Sequence, residues 1–216
     1  MPRNLEASFP AGLYRQPTGS TDTARYLVNT SRPRDRRLMS EAIAFHEAIP
    51  GHHTSFAVPA SVRTVSTGFN SGFAEGWAIY AERLADEMGL YSSVIDRIGL
   101  VAKHLWATSR LLVEPGIHIH GWTREQAIDF LLGHTALSRA EIEIEVDRYV
   151  ALPGQSLAYM LGYLELRRIR EQAERRMGTR FDIREFHDIV LRLGVRSLGE
   201  VAEDVNRWTV AHLDAH

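Results

Sequence analysis

An all-α fold is what this 216-residue sequence predicts, and two observations predict it. Beyond Asp35, apolar residues recur at three- and four-residue steps in one segment after another, the period of a helix with one buried face. The second half also carries four helix-start signatures, each a capping residue followed three positions later by Glu or Gln. These are Thr123 with Gln126, Ser138 with Glu141, Asp182 with Glu185 in a looser form, and Ser197 with Glu200.

Residues 1–37 read as an irregular or extended N-terminal segment. In it "ARYLVNT" forms at most a short strand among Pro, Gly, Ser and Arg. Residues 38–216 read as one helical domain. Leu38, Ala42, Phe45 and Ile49 make the stripe of its first helix, with Asp35 placed to cap it. A linker rich in Ser, Thr and Val follows (residues 59–68). In the next helix Phe73, Trp77, Ala81, Leu84 and Met88 form the apolar stripe, and Gly89 is the stop. A third helix is expected over 92–114. The chain breaks at Pro153-Gly154, then runs helically to Gly178. Trp77, Tyr80 and Glu82 read as scaffold.

Composition narrows the function classes. Lys and Arg number 25 against 27 Asp and Glu, so the net charge near −2 gives no electrostatic case for nucleic acid. The Arg-rich residues 167–176 alternate with Glu at helical spacing and read as a solvated, salt-bridged face. No stretch has the length and apolarity of a membrane span, and the N-terminus lacks the apolar core of a signal peptide. The expected compartment is therefore cytoplasmic if the chain is complete and exported if it is a piece of a longer precursor. Without cysteine, His, Asp and Glu are the only side chains left to ligate a transition metal.

The segment "HEAIPGHH", residues 46–53, departs from the zinc-binding spacing H-E-x-x-H by placing Pro50 where the second His should stand. Proline inside a helix costs about 3 kcal/mol if unrelieved, so Pro50-Gly51 must kink or bulge it. Looping out two residues brings His52 to the second-ligand position beside His46. His53 is the alternative. Glu75, on the following helix among small residues, is the candidate third ligand. His46, His52 and Glu75 would leave a fourth zinc position for water, with Glu47 as general base.

Together with "FAEGWAIYAE", "GIHIHGWTREQA", "EVDRY", "LPGQSLAYMLGYLELRRIREQA" and "FDIREFHDIVLRLG", this motif resembles the C-terminal half of the DUF885 family. Those bacterial proteins look like zinc metallopeptidases of the gluzincin type. The resemblance implies a multi-helix, zincin-like catalytic half, a bound zinc and a peptide substrate. It also implies Tyr159 or Tyr163 as oxyanion donor and His118, Arg148 and Gln155 as substrate contacts. Family members carry a large helical region ahead of the motif. The resemblance therefore implies either a second copy of this chain or a partner chain supplying that half, and a non-catalytic metal-binding domain serving in assembly is the alternative function. Thr54-Ser55 and Glu114 depart from the family's usual Leu-Gln and Asp.

Overall fold

The computed structural model of the chain describes residues 10–17, 22–31, 37–57 and 70–214. Asp35 and the linker of residues 59–68 lie outside the described residues. β1 (Gly12–Arg15) and β2 (Arg25–Val28) pair antiparallel, with Gly12 opposite Val28. The rest is helical: α1 (Ser40–Glu47), α2 (His52–Phe56), α3 (Ser71–Glu87), α4 (Val94–His118), α5 (Arg124–His134), α6 (Arg139–Ala151), α7 (Leu157–Met177), α8 (Ile183–Leu191) and α9 (Leu198–Asp214), with 3-10 turns at Arg37–Met39 and Gly178–Arg180. The short strand expected in "ARYLVNT" is thus one half of an antiparallel pair whose first strand, four residues long, is too short to show a period.

The four expected caps form. Thr123 Oγ1 accepts from the Gln126 N–H at 3.2 Å while Gln126 Oε1 accepts from the Thr123 N–H at 2.8 Å. Ser197 and Glu200 answer each other at 3.3 and 2.9 Å. Glu141 Oε2 accepts from the Ser138 N–H, and Asp182 Oδ1 accepts from the N–H groups of Arg184 and Glu185. Each such cap satisfies backbone donors that a helix start leaves open.

Two helices differ from their expected lengths. α1 ends at Glu47 and Ile49, the last residue of its expected stripe, is 65% exposed in the following turn. The cause is Pro50, which has no N–H to continue the ladder. α4 instead runs through Pro115 to His118. The N–H groups of Ile119 and His120 both bond to Pro115 O, and Trp122 packs so tightly on Gly116 that a Cβ there would lie 2.5 Å from the indole.

α3 is wrapped on every side, each residue from 73 to 82 being buried. Phe73 and Trp77 pack with Leu166, Ile169 and Phe186, and Ile79 packs with Ala107 and Met160. Small residues permit this. A Cβ on Gly76 would lie 2.4 Å from the Gly162 carbonyl carbon, and one on Gly162 would lie 2.0 Å from Gly72 O, so α3 and α7 cross backbone to backbone. A second core joins Met39 and Ile43 to Val113, Ile128, Leu131, Ile142 and Val146, with Tyr26 of β2 packed against it. The hairpin is thereby laid over α1.

The Arg-rich stretch of α7 is a salt-bridged face, as expected: Arg167 pairs Glu171 at 2.6 Å, Arg168 pairs Glu165 at 2.7 Å and Arg170 pairs Glu174 at 2.8 Å. Among the described residues no helix is long and apolar enough to cross a membrane.

Gly162→Ala should destabilise the chain by about 1–3 kcal/mol or more, because backbone rather than a movable side chain stands in the way. Gly133→Ala, in a helix with nothing within 4 Å of the added Cβ, should stabilise by a few tenths to about 1 kcal/mol. Urea unfolding of both variants measures the contrast, and equal effects would contradict the crossing.

Candidate metal centre

The break after α1 sets the geometry of the site. Ala48 N–H closes α1 on Ala44 O at 2.9 Å, the chain turns through a cis Ile49–Pro50 bond, and α2 restarts at His52. Trp77 Nε1 donates to Pro50 O at 2.9 Å, pinning the turn to α3. Gly51 lies directly on the end of α1: a Cβ would come 1.9 Å from His46 O and 2.3 Å from Phe45 O. The turn folds His52 back over His46, and their rings stand 4.7 Å apart, nearly perpendicular.

Glu75 reaches the same point from α3. Its Oε2 lies 3.4 Å from His46 Nε2 and 3.5 Å from His52 Nε2. These separations are long for hydrogen bonds, and Glu75 Oε2 and His52 Nδ1 are buried without a hydrogen-bond partner among the described residues. Burial pushes the Glu75 carboxyl up, yet the two imidazoles outweigh it and hold the group well below the usual carboxylate range.

Behind these three lies a second layer. His46 Nδ1 is 2.7 Å from Glu82 Oε1, an arrangement that puts the ring proton on Nδ1 and the lone pair on Nε2. Lys103 Nζ donates to the same Glu82 oxygen at 2.5 Å, and His104 Nε2 stands 3.6 Å from Glu82 Oε2. Burial and Lys103 push His46 down, but Glu75 and Glu82 prevail and leave it above its usual value. Burial likewise pushes Glu82 up, and Lys103 and His46 reverse it.

A cavity of about 400 Å³ opens in front of the triad, with Glu47, Tyr159, Gln155 and Arg148 in its wall. Glu47 Oε2 accepts from the backbone N–H of Tyr14 in β1 at 2.7 Å, and its Oε1 takes no hydrogen bond among the described residues. Tyr159 stacks on His46 at 6.0 Å and 12°. Burial, and then Glu75, raise its pKa, so its hydroxyl stays protonated. Gln155 Nε2 donates to Glu75 Oε1 at 3.3 Å, while its Oε1 accepts from Arg148 Nη1 at 2.9 Å.

Three sequence candidates lie elsewhere. His53 faces Tyr14, its Nδ1 3.3 Å from the hydroxyl. Tyr163, one turn further along α7 than Tyr159, meets His104 edge-on at 5.4 Å. His118 Nε2 bonds the main-chain oxygen of Tyr149 at 3.1 Å. Conversely, sequence reading assigned Glu82 to the scaffold, although its position seven residues beyond Glu75 places both on one helix face. Lys103, Arg110 and Tyr14 were missed; for Tyr14 no local signal exists, since its contribution is a backbone N–H.

His46, His52 and Glu75 each offer one buried ligand atom within 4.8 Å of the others, a group able to hold a metal ion. Zinc bonds of about 2.1 Å at tetrahedral angles place ligand atoms roughly 3.4 Å apart, which the two separations from Glu75 Oε2 match.

The profile of a family of bacterial proteins of unknown function, DUF885, matches residues 1–205. The chain belongs to the DUF885 family. Among solved structures it is similar to "the putative lipoprotein from Colwellia psychrerythraea", with 32% identity and a TM-score of 0.92 over 98% of this chain and 37% of that one. It also shares the fold of "a putative lipoprotein of unknown function from Shewanella oneidensis", with 24% identity and a TM-score of 0.77 over 90% of this chain and 38% of that one. This DUF885 chain thus spans less than two fifths of either relative. No curated protein matches it.

Protonation should set the stability of this DUF885 chain when metal-free. Burial pushes His104 and His187 down to about 4, so between about pH 4 and 6.5 the unfolded state binds more protons and stability rises with pH. His46 is the opposite case: its raised pKa makes stability fall as pH climbs above about 6.5 and its proton leaves. Melting temperature in chelator should therefore peak near about pH 6.5. A bound divalent cation takes the place of the His46 proton and should abolish the alkaline fall. Thermal melts with zinc or chelator test this, and a chelated chain that keeps gaining stability well above about pH 7 would contradict it.

Proposed function

We propose that this chain is the catalytic half of a zinc-dependent peptidase, with His46, His52 and Glu75 holding the zinc and Glu47 as general base. The observation carrying this reading is the buried two-imidazole, one-carboxylate cluster beside a second, differently held carboxylate on a cavity wall. Three protein ligands are the number used by catalytic zinc, whereas structural sites use four. The small ring of Glu82, Lys103 and His46 supports it too, because a carboxylate behind a ligating histidine fixes its tautomer and strengthens it as a donor.

A bound zinc supplies Lewis acidity and brings the pKa of water towards about 7. The chain's own residues do the rest. Glu47, with one oxygen clamped by Tyr14 N–H, accepts the proton of the attacking water on the other and delivers it to the departing amine. Tyr159 donates its hydroxyl proton in a hydrogen bond to the oxyanion that develops at the scissile carbonyl. β1 lines one side of the cavity in which these groups meet.

The chain should hold about one zinc, and His46→Ala should lose it. Glu47→Gln should keep the metal and fold while reducing peptide hydrolysis by about 10²–10⁴-fold. Glu75→Gln should instead weaken metal retention. Metal analysis alongside a peptidase assay separates the roles, and an active, metal-loaded Glu47→Gln chain would refute the base assignment.

The alternative function, a metal-binding helical domain serving in assembly, is favoured by one feature. Val94, Ile98, Val101, Leu105 and Leu112 form an apolar stripe along one face of α4, each at least half exposed. Contiguous exposed apolar surface of this kind marks interaction sites. We propose that the isolated chain pairs with a second copy through this face. Ile98→Asp with Val101→Asp should convert the associated form to monomer in sedimentation without removing zinc, and a wild-type chain monomeric at all concentrations would exclude the pairing.

A further inference from the structure

Opposite the metal triad, the same cavity is walled by a pair of arginines that the reaction above leaves without a task. Arg110, from α4, is 3% exposed; Arg148, from α6, has a side chain one quarter exposed. Both reach the same oxygen of one carboxylate: Arg148 Nη2 lies 2.6 Å and Arg110 Nη2 3.2 Å from Glu145 Oε2. The remaining partners of the two guanidiniums are neutral. Arg110 Nε donates to the Tyr149 hydroxyl at 3.0 Å, and Arg148 Nη1 donates to Gln155 Oε1 at 2.9 Å. Arg148 Nε is buried with no partner among the described residues. Aromatic faces complete the surroundings, with the Arg110 guanidinium 4.1 Å from the ring centres of both Trp106 and Tyr159.

Two permanent positive charges therefore share one negative charge in a largely dry wall. Buried charge without a counter-ion is costly, and Lys103, the other cation of the cavity, is committed to Glu82. The wall is one residue away from the triad, because Gln155 touches Arg148 on one side and Glu75 on the other. We infer that Arg148, backed by Arg110, binds a carboxylate of the substrate, so that the peptidase proposed above, on which this inference rests, acts next to an acidic group: the C-terminal carboxylate of a peptide or an acidic side chain. Guanidinium is suited to this by its planar pairs of donors. Tyr149 and Glu145 are positioning residues that hold the pair in place.

Binding is measured on the zinc-loaded Glu47→Gln chain, so that nothing is turned over, with N-acetyl-phenylalanine, its C-terminal amide, and N-acetyl-glutamic acid α-amide, whose side-chain carboxylate is free, as probes. Calorimetry should show the free acid bound at least about tenfold more tightly than the amide. A comparable gain for the glutamate α-amide would extend the site to acidic side chains, and none would assign it to the C-terminus. Adding Arg148→Gln leaves Glu145 paired with Arg110 alone and should bring the ratio near one at unchanged zinc content; Arg148→Lys should restore part of it. Equal binding of all three probes by the unmodified wall overturns the inference, as does a preference indifferent to Arg148→Gln, which would place the carboxylate on the zinc. The two readings fail separately. Hydrolysis by the native chain without acid preference sinks the carboxylate site alone. Acid preference lost in Arg148→Gln, in a native chain that hydrolyses no peptide, sinks the peptidase alone.

Discussion

The contact between Gly76 and Gly162 is the constraint on which the rest of the molecule depends. Two helices that touch through main chain leave no room for adjustment, because neither side can swing a rotamer out of the way. Glu75 is the neighbour of one of these glycines, and Tyr159 and Gln155 stand one and two turns before the other. Their meeting in the cavity is thus a consequence of the crossing and not of any attraction between them. Further along the same helix, Glu82 arrives beneath His46 for the same reason. A site built on rigid helices in this way holds its groups in register without help from loops.

The polar interior reads as one connected circuit. Lys103 bonds Glu82, Glu82 bonds His46, His46 and His52 flank Glu75, Glu75 accepts from Gln155, Gln155 accepts from Arg148, and Arg148 shares Glu145 with Arg110. Lys103 and Arg110 both belong to α4, so the circuit leaves that helix and returns to it after crossing α3, α1, α2, the turn ahead of α7, and α6. Each of the circuit's three carboxylates lies between two positively charged or imidazole groups, which is how they coexist in a medium that solvates charge poorly. Removing any member takes one partner from its neighbours, so the effects of substitutions along the circuit will not add.

Much of this was legible in the chain itself. Caps at Thr123, Ser138, Asp182 and Ser197 are local chemistry, complete within four residues, and so they could be read directly. The grouping of His52 rather than His53 with His46 followed from what proline does to a helix, and Glu75 from the small residues around it. Other features were hidden because they depend on what arrives from far away. Glu82 has an unremarkable helical setting until His46 and Lys103 are placed against it, and Tyr163, one turn beyond Tyr159 on the same face of α7, meets His104 instead of His46 because the rise of one turn carries it past the site. Ile49 joined the apolar stripe by count but left it by geometry, since periodicity assumes a helix that Pro50 ends.

The hold on Glu47 comes from the main chain of β1, not from a side chain. A hydrogen bond of that origin is indifferent to the identity of the residue that provides it, with proline the lone exception. Position 14 can therefore change identity without releasing the carboxylate, provided the strand keeps its path over α1, while the Tyr14 ring has contacts of its own with His53 and Phe56. What Glu47 asks of the hairpin is a path and not a side chain, and that path is held by other letters, by Gly12 with no room for a Cβ beside Ile43 and by Tyr26 packed on the second core.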